Sequence, residues 1–209
     1  MVTYSDRNAS MLEIIFIIVI IFLSVIVHEI SHGYTAYWLG DPTAKMSGRL
    51  TLNPLKHLDP LGSIILPVLL YFFSLPVIGW AKPVPFNPYN LKAGKWGPAI
   101  VAASGPLSNI LIAIFFAILI RLNIFGSISF TSLSIVVVQL NLFLAIFNLV
   151  PIPPLDGSKV LFAFFTYKQK KIEDFLERYG LFFIIFFLFY GLDVLLPIER
   201  FFEKLLVGA

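Results

Sequence analysis

His28-Glu29-Ile30-Ser31-His32 closes an apolar run that extends from Ile14 to Val27 with Ser24 as its only polar member. About 20 mostly apolar residues cross the hydrocarbon core of a bilayer, and a helix satisfies its own backbone there. The run therefore predicts a spanning helix with the HExxH pentad near one end. On a helix, residues i and i+4 lie about 40° apart, so both imidazoles face one metal ion. Glu29 projects from the same turn, where a carboxylate can take a proton from water at that ion. Ionisable groups at bilayer depth are costly and mark functional sites by default.

Composition agrees with the membrane reading. The chain of 209 residues is 58% hydrophobic and 13% charged, with a mean hydropathy of +0.90. Soluble domains carry roughly 25% charged residues. The expected class is an all-α, polytopic helical bundle in the cell membrane, one domain over residues 1–209. Residues 11–165 form its core, and 172–209 an accessory span and amphipathic tail. The absence of cysteine excludes disulfides and thiolate ligands. A net charge of +3 with dispersed Lys and Arg suits interfacial anchors, not a nucleic-acid surface. Lys168 to Lys171 is one such anchor, with anionic lipid as its sharper reading. No small-residue cleavage site follows the first run, so it is expected to be retained rather than removed as a signal peptide.

About five crossings are expected. The first runs from Met11 to Leu39, stopped by Gly40-Asp41-Pro42, and the second from Leu61 to Ile78 with Pro67 and Pro76 inside it. The third covers Ala99 to Ile120, the fourth Leu133 to Val150 and the fifth Gly180 to Leu196, before a surface tail at Ile198 to Val207. The fourth is broken by the proline-rich stretch Asn148 to Gly157, NLVPIPPLDG. Non-helical backbone at that depth persists only inside protein or beside a cavity, so the break points inward. With these spans Lys and Arg divide almost evenly between the two sides, which leaves orientation open.

A catalytic zinc takes three protein ligands and keeps an open position. His28 and His32 supply two. Thr35 and Trp38 stand where a metzincin needs glycine and histidine, and no glutamate lies between Glu29 and Glu173. Asp41, His57, Asp59, Asp156 and Asp193 remain. Asp41 suits a turn, His57 and Asp59 a polar interfacial stretch, and Asp193 the end of a span. Asp156 alone sits on a helix break flanked by apolar sequence and is the preferred third ligand. Its plainer alternative is a polar turn or cap.

HEISH on a first membrane helix and NLVPIPPLDG on a later one resemble the site-2 protease family of intramembrane zinc metalloproteases. GRLTLNPLKHLDPLG from Gly48, GWAKPVPFNP from Gly79 and SGPLSN from Ser104 match the same pattern in the same order. The resemblance implies one Zn2+ per chain held by His28, His32 and Asp156, with Glu29 as general base. It implies that Asn148 binds the oxyanion or positions substrate, and that Asn109 is a second polar residue near the site. It also implies a transmembrane protein substrate cut during regulated intramembrane proteolysis, an outside N-terminus and a site nearer the cytosol. A membrane adaptor or a homo-oligomer is compatible with it. PDZ-like and CBS segments of larger members have no counterpart here, so gating by such domains is not expected.

Other readings remain at this stage. A metal transporter or metal-binding membrane protein would use the same His and Asp, although Glu29 then has no task and no inverted repeat is visible. A silent scaffold would not need all four residues. A serine protease built on Ser104 lacks a histidine after His57, and an Asp156–Asp193 dyad leaves HEISH unexplained. His57 reads as a hydrogen-bonded loop residue. Asn109, beside Gly105, Pro106 and Ser108, reads equally well as helix packing. The Phe-rich last span reads as lipid-facing, and polar residues from Gly48 to Gly62 as a water route.

Overall fold

The computed structural model describes residues 11–73 and 79–208, and every regular element among them is helical. In chain order these are α1 (Met11–Trp38), α2 (Thr43–Met46), α3 (Leu66–Phe72), α4 (Gly97–Arg121), α5 (Ile128–Asn148), α6 (Asp156–Ala163), α7 (Lys170–Tyr190) and α8 (Leu192–Val207). α1, α4 and α5 are each long and apolar enough to cross a bilayer. α7 and α8 qualify only as a pair, bent by 68° at the break between them. The chain is thus a helical membrane protein with three such helices among the described residues, or four with the bent pair.

α4 lies antiparallel to α1: Val101 reaches His32, while Asn109, two turns on, reaches back to Ser24. α5 runs with α1, since Asn141 meets Ser24 and Asn148 shares a cavity with His28. Lipid tails are as apolar as leucine, so close packing rather than water exclusion holds such helices together. Small residues supply it: Ala113 and Ala117 of α4 are buried against Val138 and Leu142 of α5.

The expected second crossing, Leu61 to Ile78, is corrected. Helical structure runs from Pro60 to Phe72, shorter than a spanning helix, and Pro76 lies outside the described residues. The Trp80 N–H donates to the Gly62 carbonyl at 3.2 Å, and the Lys82 N–H to that of His57 at 2.8 Å. The two ends of a crossing stand about 30 Å apart, so the described flanks, His57 to Gly62 and Trp80 to Lys82, lie on one side. Pro67 cannot donate to Ser63, and the preceding turns, Pro60–Ile65, widen to π geometry.

The later boundaries also move. α5 begins at Ile128, not Leu133, and ends at Asn148, followed by turns to Leu155 before α6. α7 begins ten residues before Gly180, because its charged first turns pair internally, Lys170 with Glu173 at 2.9 Å and Asp174 at 3.3 Å. The break falls at Gly191, not Leu196. The residues expected as a surface tail belong to α8, whose Leu206 and Val207 pack against the α4–α5 core.

Candidate metal centre

The i,i+4 spacing on α1 turns His28 and His32 toward α4, with ring centroids 4.7 Å apart and planes at 90°. The turns after Asn148 carry the chain back so that Asp156, the first residue of α6, meets both rings. Its Oδ2 lies 3.1 Å from His28 Nε2 and 3.3 Å from His32 Nε2. Gly105 of α4 lets the rings sit there. A Cβ on it would stand 2.5 Å from His32 Cε1 and 2.6 Å from His28 Cε1.

Each imidazole is held from behind. His32 Nδ1 is 2.7 Å from the Val101 carbonyl, an atom that can only accept, so Nδ1 carries the proton. His28 Nδ1 is 2.7 Å from Asn109 Oδ1. Both Nε2 lone pairs are therefore turned toward Asp156 Oδ2, a buried oxygen with no hydrogen-bond donor among the described residues. Two imidazole nitrogens and a carboxylate oxygen converging within 3.1–3.3 Å can hold a cation, and two imidazoles with one carboxylate suit zinc.

Glu29 completes the group. A ligand atom from each of His28, Glu29 and His32 falls within 4.8 Å of the others. Geometry alone thus offers Glu29 and Asp156 as the third donor. Asp156 is the better choice, because its Oδ2 is orphaned while Glu29 Oε2 accepts the Val84 N–H at 2.8 Å. A cavity of about 230 Å³ opens beside these residues, walled by Pro83, Val84, Phe86, Asn148, Pro154 and Lys159 among others.

The remaining sequence candidates lie elsewhere. Asp41 binds Thr43, Asn87 and Asn90 beyond the end of α1. Asp59 caps the turn at Leu61 and Gly62. His57 is buried, with Nε2 on the Thr51 carbonyl, and Asp193 opens α8. None of residues 48–62 lines the cavity. Asn148 does, with Nδ2 also donating to the Leu144 carbonyl at 2.9 Å. Asn109 does not: it is fully buried behind His28. Sequence reasoning missed Asn141 and Ser24 behind Asn109, the Val84 N–H, and Lys159. Lys159 follows Asp156 by three residues, which a helix starting at Asp156 would have placed on the same face.

Residues 123–191 match Peptidase family M50, a stretch that contains Asp156 but not the histidines. Over 154 residues the chain is 38% identical to YwhC of Bacillus subtilis, covering 70% of this chain and 67% of that protein. The chain belongs to peptidase family M50. Rip2 of Mycolicibacterium smegmatis is 33% identical over 70% of this chain, and Rip2 of Mycobacterium tuberculosis strain Erdman 31% over 66%. This M50 peptidase spans 57% and 53% of their lengths, so they carry much that it does not match. All three relatives are named as candidate zinc metalloproteases. No solved structure matches. With its family and its buried histidine pair, this M50 peptidase is a zinc metalloprotease held in a membrane.

Proposed function

We propose that this M50 peptidase cuts peptide bonds within or beside the transmembrane segments of other membrane proteins, as a step of regulated intramembrane proteolysis. One observation carries the reading: His28 Nε2, His32 Nε2 and Asp156 Oδ2 converge beside Glu29 among bilayer-length helices. These three side chains hold one zinc ion per chain. Zinc supplies a Lewis acid that polarises the scissile carbonyl and brings the pKa of bound water to about 7.

The chain's own residues do the rest. The Val84 N–H occupies Glu29 Oε2, so Oε1 accepts the proton of the attacking water and returns it to the departing amine. Asn148 spends one N–H on Leu144 and offers the other to the developing oxyanion. Asn109 acts through His28, not on the substrate, because its amide is buried and engaged. Pro83, Val84 and Phe86 narrow the cavity against bulk water. An intact substrate helix shields its carbonyls, so the cut segment must unwind, which residues of low helix propensity favour.

The site faces the cytoplasm of a cell membrane, with the N-terminus outside. With residues 60–80 returning to one side, the loops at the site end carry Lys45, Arg49, Lys56, Lys82, Lys92 and Lys95, and Lys168 to Lys171 adds more. At the other end loop 122–127 carries none, and Arg121 at its edge is the cation beside it. That asymmetry supports the orientation. Residues 11–165 carry the chemistry in a single domain, and α7 and α8 buttress it.

Comparing wild type with Glu29→Gln in detergent tests the reading, by zinc content and by cleavage of a single-span substrate. The variant is expected to keep zinc and lose at least about 100-fold in rate, the lower bound for a general base. Unchanged cleavage, or no zinc in the wild type, overturns it.

A further inference from the structure

We propose that Asn141 on α5 is a positioning residue for the metal site, fixing the tautomer of His28 through Asn109. The inference rests on the zinc reading above. Asn141 Nδ2 donates to the Val137 carbonyl at 2.9 Å and to Ser24 Oγ at 3.0 Å. Its Oδ1 accepts from Asn109 Nδ2 at 2.9 Å, and the other Asn109 N–H points at the Ser24 carbonyl at 3.3 Å. Asn109 Oδ1 then faces His28 Nδ1 at 2.7 Å. Asn109 and Asn141 are fully buried and Ser24 nearly so, and every amide hydrogen of the pair has an acceptor.

Backbone carbonyls set the direction of the hydrogen bonds at two points, Val137 for Asn141 and, at a longer 3.3 Å, Ser24 for Asn109. A backbone carbonyl only accepts, so Val137 forces Nδ2 of Asn141 toward itself and Oδ1 toward Asn109. Asn109 must answer with Nδ2, which leaves its Oδ1 for His28. His28 therefore carries its proton on Nδ1 and presents a bare Nε2 to the metal. Flipping both amides would set oxygen against oxygen at Val137. It would also place an N–H against His28 Nδ1, moving the ring proton to Nε2, where it blocks coordination. His32 obtains the same result in one step from the Val101 carbonyl. Outer partners of this kind typically change metal affinity 10–100-fold when removed.

The test uses the full-length chain in detergent, zinc affinity by chelator competition, and 15N spectra of the histidine rings, of which there are three. Asn141→Leu is expected to weaken zinc binding about 10-fold or more and to remove the Nδ1-protonated signature of His28. Ser24→Ala keeps the Val137 and Asn109 contacts and is expected to bind zinc near the wild-type affinity. Wild-type affinity and an unchanged His28 spectrum in Asn141→Leu overturn the inference while leaving the zinc reading intact, even if the variant melts earlier. Equal losses in Ser24→Ala and Asn141→Leu overturn it too, as general packing damage. A wild type that binds no zinc fails at the prior step. Should Asn141→Leu not fold, Asn141→Ala takes its place and is expected to lose zinc affinity and the Nδ1-protonated His28 signature together. Wild-type affinity with an unchanged His28 spectrum in that variant overturns the inference.

Discussion

Gly105 sets the tightest steric condition on the site. Any β-carbon there meets both imidazoles at 2.5–2.6 Å, and neither ring can retreat, because Asn109 and Val101 hold them from behind. Gly105→Ala is therefore expected to lower zinc affinity at least about tenfold, or roughly 1.4 kcal/mol, with helical circular dichroism unchanged. Chelator competition on the purified variant checks this, and full affinity would show that the rings have room to move. Gly105 stood in the SGPLSN pattern, yet its service to two histidines on another helix was not legible. The contiguous pentad His28 to His32 was legible, because helix periodicity alone brings those side chains together. Asp156 emerged from eliminating other carboxylates and from the cost of a helix break in lipid. Asn141 did not emerge, since a polar residue in an apolar helix does not say which neighbour it faces. The Val84 N–H on Glu29 was invisible for a simpler reason: a backbone donor leaves no mark on the sequence.

Among the elements, α1 is held at its end by Asp41. Gly40 takes φ +105°, and the buried Asp41 carboxylate then accepts from the Thr43 N–H and hydroxyl, the Asn87 N–H and the Asn90 amide. This clasp ties the histidine helix to the segment that carries Val84 and Phe86. Burial pushes the Asp41 pKa up, but the hydrogen bonds from Thr43, Asn90 and Asn87 outweigh it and hold it below the usual carboxylate range. A depressed folded pKa contributes stability that is complete above the unfolded value of about 3.9. That contribution is lost as pH falls through the folded value. Asp41→Asn puts an amide N–H against the Asn87 donor and should cost about 1.5–3 kcal/mol at neutral pH. Melting curves in detergent, taken from pH 7 downward, should draw together for the two proteins once the pH falls below the unfolded value. Parallel curves would remove Asp41 from that role. α1 and α4 were well placed from sequence, because Gly40-Asp41-Pro42 stops one long apolar run and Ala99 to Ile120 forms another. The segment from Pro60 was not, since hydropathy registers entry into the apolar layer but not whether the chain leaves by the same face.

That one segment decides the topology of the whole molecule. Five alternating crossings would put residue 46 on the same side as residue 124, with residue 89 opposite, and would spread the cations evenly. The bonds from Trp80 to Gly62 and from Lys82 to His57 instead keep residues 46 and 89 together and send residue 124 across. The cations then concentrate at the end where His32, Glu29 and Asp156 lie, the arrangement a cytoplasmic face favours. The chain has no cysteine, so single replacements at exposed positions report sidedness without background. Met46→Cys, Tyr89→Cys and Ile124→Cys replace residues that are 81%, 96% and 52% exposed. A membrane-impermeant maleimide added to intact cells is expected to label only the Ile124→Cys variant, and all three after permeabilisation. Labelling of Met46→Cys together with Ile124→Cys would restore five crossings and abolish the charge asymmetry. Labelling of Met46→Cys and Tyr89→Cys alone would keep the re-entrant segment but turn the site outward, so a substrate would have to be cut from the opposite face.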